Sequence, residues 1–83
     1  MAADCNDLLA KAKGKRASLG FSELCALAEC YGYQWDRQRG SHHIYKRAGS
    51  PLMDFQPRNG DKKMAKPFQV GQLLDFIETL QEA

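Results

Sequence analysis

The chain has 83 residues, 43% of them hydrophobic and 27% charged, with a net charge of +2. A chain of this length makes one small domain that buries roughly 60% of the surface its unfolded form exposes. No apolar run approaches the ~20 residues needed to cross a bilayer, and the acidic, polar start from Met1 to Asp7 is not a secretory signal, so a cytoplasmic protein without a membrane partner is expected.

Cys5, Leu8, Leu9 and Ala12 recur at helical spacing and predict a first helix over 4–13, ended by Gly14. Residues 15–20 read as a basic connector. A second helix is predicted from Ser22, a favourable N-cap, to Tyr31, with Gly32 as its stop. The period then changes from helical to alternating. Tyr33, Trp35, Arg37 and Arg39 alternate with Gln34, Asp36 and Gln38, as in a half-exposed strand. Gly40 and Ser41 form a short turn, and 42–47 return as the hairpin partner. Residues 52–56 read as a third strand, 57–61 as turn chemistry and 62–66 as a basic loop. From Pro67 onward, Val70, Leu73, Leu74, Ile77 and Leu80 trace the apolar stripe of a last helix, despite Gly71, which lowers helix propensity by roughly 1 kcal/mol relative to alanine. The order helix, helix, three antiparallel strands, helix predicts an α+β domain. Its helices cover one face of the sheet and leave the other free for solvent or ligand. Trp35 and Phe55 are expected in the core.

Cys5, Cys25 and Cys30 are odd in number and lack CxxC spacing, which argues against a disulfide framework. Free, largely buried thiols are expected, and the spacing does not suit a zinc site shared with the histidines. Neither a metal nor another cofactor is expected.

The small net charge hides an asymmetry. From Arg37 to Lys66 there are eight cations against two acids, a local +6, while the remaining four cations and eight acids carry −4. A basic middle between acidic flanks predicts one electropositive face, the footprint of a polyanion partner. Both histidines, His42 and His43, lie within that segment, directly after the Gly40–Ser41 turn. Arg37 and Arg39 precede them, and Lys46 and Arg47 come after. Imidazoles that move protons near neutral pH, beside cations able to hold a phosphate, are the minimal parts of a phosphodiester-cleaving site. Strand alternation places His42 with Ile44 on one face and His43 with Tyr45 on the other, so the two do not act side by side. Ser41 beside a histidine is a weak nucleophile candidate, because no neighbouring acid is placed to orient the imidazole.

The segments Phe21-Ser22-Glu23-Leu24, Tyr31-Gly32-Tyr33 and above all Gln38-Arg39-Gly40-Ser41-His42-His43-Ile44-Tyr45 resemble the HicA family of bacterial toxins. The likeness continues through Ala65-Lys66-Pro67-Phe68-Gln69-Val70 and the helix from Gly71 to Leu80. It spans about residues 20–81 and divides the chain into an N-terminal helical extension with a basic linker, 1–19, and a HicA-like RNA-cleaving domain, 20–83. The resemblance implies a double-stranded-RNA-binding-like fold, helix–three-stranded antiparallel sheet–helix, here with an extra N-terminal helix. It also implies a metal-independent mRNA interferase of a type II toxin–antitoxin system, held in check by a HicB-like antitoxin. The family's catalytic histidine maps onto His42; some members carry theirs one position later, at His43. Arg37, Arg39, Ser41, Lys46 and Arg47 are then the expected RNA and phosphate contacts. The alternatives from other classes are a non-catalytic RNA-binding module using the same basic face, and a protein-interaction domain meeting an acidic partner.

Overall fold

The computed structural model describes residues 4–82. Helix α1 (Cys5–Gly14) is capped by Asp4, whose carboxylate accepts from the Asn6 N–H at 3.2 Å. A single 3₁₀ turn (Arg16–Ser18) leads into helix α2 (Phe21–Cys30). Strands β1 (Gln34–Arg39), β2 (His42–Lys46) and β3 (Met53–Phe55) form an antiparallel sheet in chain order. A second, two-stranded ladder joins β4 (Pro57–Arg58) to β5 (Asp61–Ala65), and helix α3 (Pro67–Glu82) closes the chain. The domain is α+β, with three helices and a three-stranded antiparallel sheet, in keeping with the double-stranded-RNA-binding-like fold. Among the described residues no helix is long and apolar enough to cross a membrane.

The helices lie on one side of the sheet. Leu24, Leu27 and Ala28 of α2 and Val70, Leu73 and Ile77 of α3 meet Tyr33, Tyr45, Met53 and Phe55 in a single core, which also takes in Leu8 and Ala12 of α1. The inward positions of β3, Met53 and Phe55, alternate with outward-facing Asp54. Tyr33 is fully buried, and its hydroxyl donates to the Pro51 carbonyl at 2.8 Å, which fastens the β2–β3 loop. Phe55 lies in the core as expected. Trp35 does not: it sits on β1, an edge strand, and is 56% exposed. The ladder shifts register between Trp35 and Arg37, and such a bulge breaks the alternation on which the core assignment rests.

Three further expectations are corrected. The second helix is not capped by Ser22. It begins at Phe21, and the Glu23 carboxylate reaches back to accept from the Gly20 N–H at 2.8 Å. The Glu23 carboxylate also receives the Lys11 ammonium at 2.9 and 3.0 Å, tying α1 to α2. The Lys11 hydrogen bond, and after it that from Gly20, holds the Glu23 carboxyl below the usual carboxylate range. Its contribution to stability is therefore complete at neutral pH and fades as the pH falls through that lowered value.

Residues 62–66 are not a loop. Most of them form β5, which pairs with β4 and receives Leu19 along its far edge, where the Ala65 N–H donates to the Leu19 carbonyl at 3.0 Å. Lysines on an exposed edge mask the period-2 signal, because only Ala65 of β5 is buried. The connector 15–20 is thus docked rather than loose, with Leu19 fully buried.

The cysteines are not all free. Cys5 and Cys30 form a disulfide, their Cα atoms 5.9 Å apart, while Cys25 is a free, buried thiol. No spacing rule reveals this pairing. It arises from α1 lying across α2, so that the start of one helix meets the end of the other.

Gly71 is explained by a close approach, since a Cβ there would lie 2.8 Å from Nη1 of Arg16. That atom is the far end of a flexible side chain. Gly71→Ala should displace it and raise stability by up to about 1 kcal/mol through helix propensity, measurable as a higher urea midpoint with an unchanged slope.

Candidate active site

The site is built on the β1–β2 hairpin. Arg39 pairs with His42, so the connecting turn is the two residues Gly40 and Ser41. Gly40 has φ +58, in the left-handed region where glycine is favoured, and this tight turn fixes the register of the two strands it joins. The register then decides which side chains share a face. His42 and Ile44 of β2 lie opposite Arg39 and Arg37 of β1 on one side and, through the Ile44–Asp54 pair, beside Asp54 of β3 on the other. His43 and Tyr45 point to the helical side.

On the open face, His42 Nδ1 lies 2.9 and 3.1 Å from the two carboxylate oxygens of Asp54. An ionised carboxylate only accepts, so this contact requires the imidazole tautomer with its proton on Nδ1, which then donates to Asp54. Nε2 keeps its lone pair and is free to take a proton. The acid that sequence reasoning did not find beside either histidine is therefore supplied by β3. Gln56 Nε2, itself a donor, lies 3.0 Å from the same ring nitrogen and competes with Asp54 for it, since it can donate only to the tautomer with Nδ1 unprotonated. Its Oε1 accepts from Lys66 Nζ at 2.9 Å, and its backbone N–H donates to Oε1 of the buried Gln69 at 2.8 Å. The imidazole thus lies between Asp54 of β3 and Gln56, which is itself tied to the start of α3.

By register Arg37 and Arg39 share this face with His42, and Lys46 does so four residues further along β2. Asp36, thrown onto their side by the bulge, is hydrogen-bonded to Arg37 and lies 3.5 Å from Lys46 Nζ. The Arg37 hydrogen bond, with the charge of Lys46 adding to it, holds the Asp36 carboxyl below the usual range, so it is ionised near neutrality. One acid thereby partly neutralises two of the cations. Asp36→Asn should release both and tighten RNA binding. It should also steepen the dependence of log K on log salt by roughly 0.7 per phosphate gained, as read by fluorescence titration of a labelled oligoribonucleotide between low and moderate salt.

Other sequence-predicted residues lie elsewhere. Arg47 is on the helical side, where its Nε donates to the Tyr31 carbonyl at 2.8 Å and its Nη1 to Ser50 Oγ at 2.7 Å. Its guanidinium also stands 5.5 Å from the centre of the Phe76 ring. The structure does not bring it together with His42. His43 is half-buried, its ring 4.8 Å from that of Phe21. With Ser41 it lines a cavity on the far side of the hairpin tip. The two histidines are therefore separated by the sheet, as alternation requires. Cys25 is buried against Tyr45. Burial pushes the Cys25 thiol up, and it pushes the Tyr45 hydroxyl up with Cys25 adding to the effect, so neither group ionises near neutrality. Among the described residues, no cluster of three His, Cys, Asp or Glu side chains is arranged to hold a metal ion.

The family model described as HicA toxin of bacterial toxin-antitoxin matches residues 21–75, two-thirds of the chain and the whole of this hairpin. The chain belongs to the HicA toxin family. No curated protein and no solved structure matches it. The HicA match starts where α2 starts and takes in β1 to β5 and the first half of α3. It therefore includes His42, Asp54, Gln56 and Lys66, and it leaves α1 outside. Membership makes this HicA chain the toxin of a toxin–antitoxin system.

Asp54, Gln56 and Asp36 are the residues that sequence reasoning missed. A signal for Asp54 was present, since a lone acid between the apolar Met53 and Phe55 must face outward on a half-buried strand. Its meeting with His42 depends on the register between β2 and β3, which no local pattern encodes.

Proposed function

We propose that this HicA chain is a metal-independent endoribonuclease that cuts single-stranded mRNA in the cytoplasm, with His42 as its catalytic base. The observation that carries this reading is the His42–Asp54 contact through Nδ1, on a face shared, by strand register, with Arg37, Arg39 and Lys46; with the proton on Nδ1, Nε2 is left to act as the base. In the reaction, Nε2 takes the proton from a ribose 2′-hydroxyl and the 2′-oxygen attacks the adjacent phosphorus. The bond to the 5′-oxygen breaks, and water protonates that oxygen as it leaves. The products are a 2′,3′-cyclic phosphate and a 5′-hydroxyl. Asp54 holds the tautomer and stabilises the imidazolium as it forms. The three cations, with the N–H groups of the Gly40–Ser41 turn nearby, offset the charge that builds on the phosphoryl oxygens.

His43 is the less favoured candidate. Its ring packs against Phe21, and among the described residues no carboxylate accepts from it. A HicB-like antitoxin would silence the toxin by covering the open face of the sheet, where His42 and the cations stand together. Residues 20–83 carry this site, with 1–19 as the extension.

The test is incubation of the full chain with a single-stranded RNA in EDTA, beside His42→Ala and His43→Ala. Cleavage lost in His42→Ala, retained in His43→Ala and yielding cyclic-phosphate ends is expected. Intact RNA that is nonetheless bound by every variant would replace this reading with a non-catalytic RNA-binding module.

A further inference from the structure

A cavity of about 440 Å³ opens beside the tip of the β1–β2 hairpin, on the side away from His42. Its volume is in the range of sites that take small ligands. The Gly40–Ser41 turn forms one wall and the Asn59–Gly60 turn between β4 and β5 the other. Gln38, His43, Pro57, Arg58 and Lys62 complete it, and no carboxylate of the described residues lines it. Such a lining, two amides and two cations with an imidazole, suits a polar, electron-rich ligand.

Several of these groups are held in place. Arg58 Nε and Nη2 donate to the Ala65 carbonyl at 3.1 and 3.0 Å, and Nη2 also donates to the Ala17 carbonyl at 2.7 Å, which sets the wall and leaves Nη1 over. His43 is packed against Phe21. Gln38 Nε2 donates one of its two N–H groups to the Gly40 carbonyl at 2.9 Å, which fixes the amide and leaves Oε1 as its acceptor for the cavity. The place of the cavity matters as much as its chemistry. Ser41 and His43, which line it, flank His42 in the chain, and consecutive Cα atoms are about 3.8 Å apart. A strand of RNA crossing the hairpin tip with its phosphate at His42 would bring the neighbouring base to the cavity mouth. Unpaired bases are read in this way, splayed out and hydrogen-bonded on their edges.

We propose that this cavity binds the base of the nucleotide next to the scissile phosphate and prefers one that presents an exocyclic amine to Gln38 Oε1. Asn59 contributes the second edge contact, and Lys62 attracts the flanking phosphate. The position of the scissile phosphate rests on the nuclease reading above; the cavity's affinity for a base does not.

Two measurements on the full chain separate the two ideas. In the first, the initial rate of cleavage is compared on ten-residue homopolymers of adenylate, cytidylate and uridylate. The natural chain should favour the first two. Gln38→Ala and Asn59→Ala should each shrink that preference by roughly threefold to tenfold, the worth of one hydrogen bond. In the second, AMP, CMP and UMP are titrated into His42→Ala while the side-chain amide resonances of Gln38 and Asn59 are tracked. Shifts with AMP and CMP are expected, and weaker ones with UMP. If RNA is cut with the same base preference in the variants and neither amide responds, the cavity proposal is overturned and the nuclease reading stands. If RNA stays intact but both amides shift, the nuclease reading falls and the base-binding cavity remains.

Discussion

Replacing His42 by alanine should lower the rate of RNA cleavage by roughly 10²–10⁴-fold, the contribution of one well-placed proton-transfer group. The fold should be untouched, because the His42 side chain is about half-exposed (46%) and is not part of the core. Asp54→Asn should cost an order of magnitude or more, though less than losing His42. An asparagine can still contact the ring, but it can present its amide to Nδ1, stabilise the wrong tautomer and place the proton on Nε2, where the base is needed. His43→Ala should behave differently, losing stability through the Phe21 contact more than it loses rate. These variants are compared by single-turnover cleavage of a labelled RNA, with thermal melts as the control for folding. Full activity in His42→Ala would overturn the assignment of the catalytic base. Full activity in Asp54→Asn would leave the base in place and remove Asp54 from the mechanism.

Reducing the Cys5–Cys30 disulfide should lower the stability of the domain by about 3 kcal/mol. The bond closes a loop across a sequence separation of 25, and a cross-link of that span removes about this much chain entropy from the unfolded state. For a domain of this size the change corresponds to a fall in Tm of roughly 12–24 °C. Cys5→Ser should show the same drop in the absence of reductant, and reductant should then have no further effect. The loss falls on the junction between α1 and α2, where the Lys11–Glu23 contact and the burial of Leu8 and Ala12 remain to hold the two helices together. Equal melting with and without reductant would show that α1 is secured by packing alone. Cys25 should not react with a thiol reagent until the chain unfolds, because it is buried and burial favours its protonated form.

Elements with strong local signals are legible in the residues themselves. The helices at 4–13 and from Pro67 emerge from the spacing of their apolar residues. The hairpin emerges from alternation on either side of a Gly-Ser turn, and the same alternation separates His42 from His43. The basic segment from Arg37 to Lys66 points to a polyanion. Signals fail where a residue's state is set by partners distant in the chain. Trp35 loses its place in the core to a one-residue bulge. Residues 62–66 look like loop because an exposed lysine-rich edge strand has no apolar rhythm. Arg47 looks equivalent to Lys46, yet one step along a strand reverses the face, and the structure ties it to Tyr31, Ser50 and Phe76.

Periodicity, turn chemistry and short motifs are local properties of the chain. They are enough for the three helices and the three-stranded sheet, the family, and an imidazole beside cations after a tight turn. That Asp54 and Gln56 frame His42, that Asp36 masks two cations, and that Cys5 reaches Cys30 are properties of the folded domain alone. Each of these depends on the register between strands or on the crossing of two helices. Register and crossing are set by how the whole core packs, which a short stretch of chain does not encode.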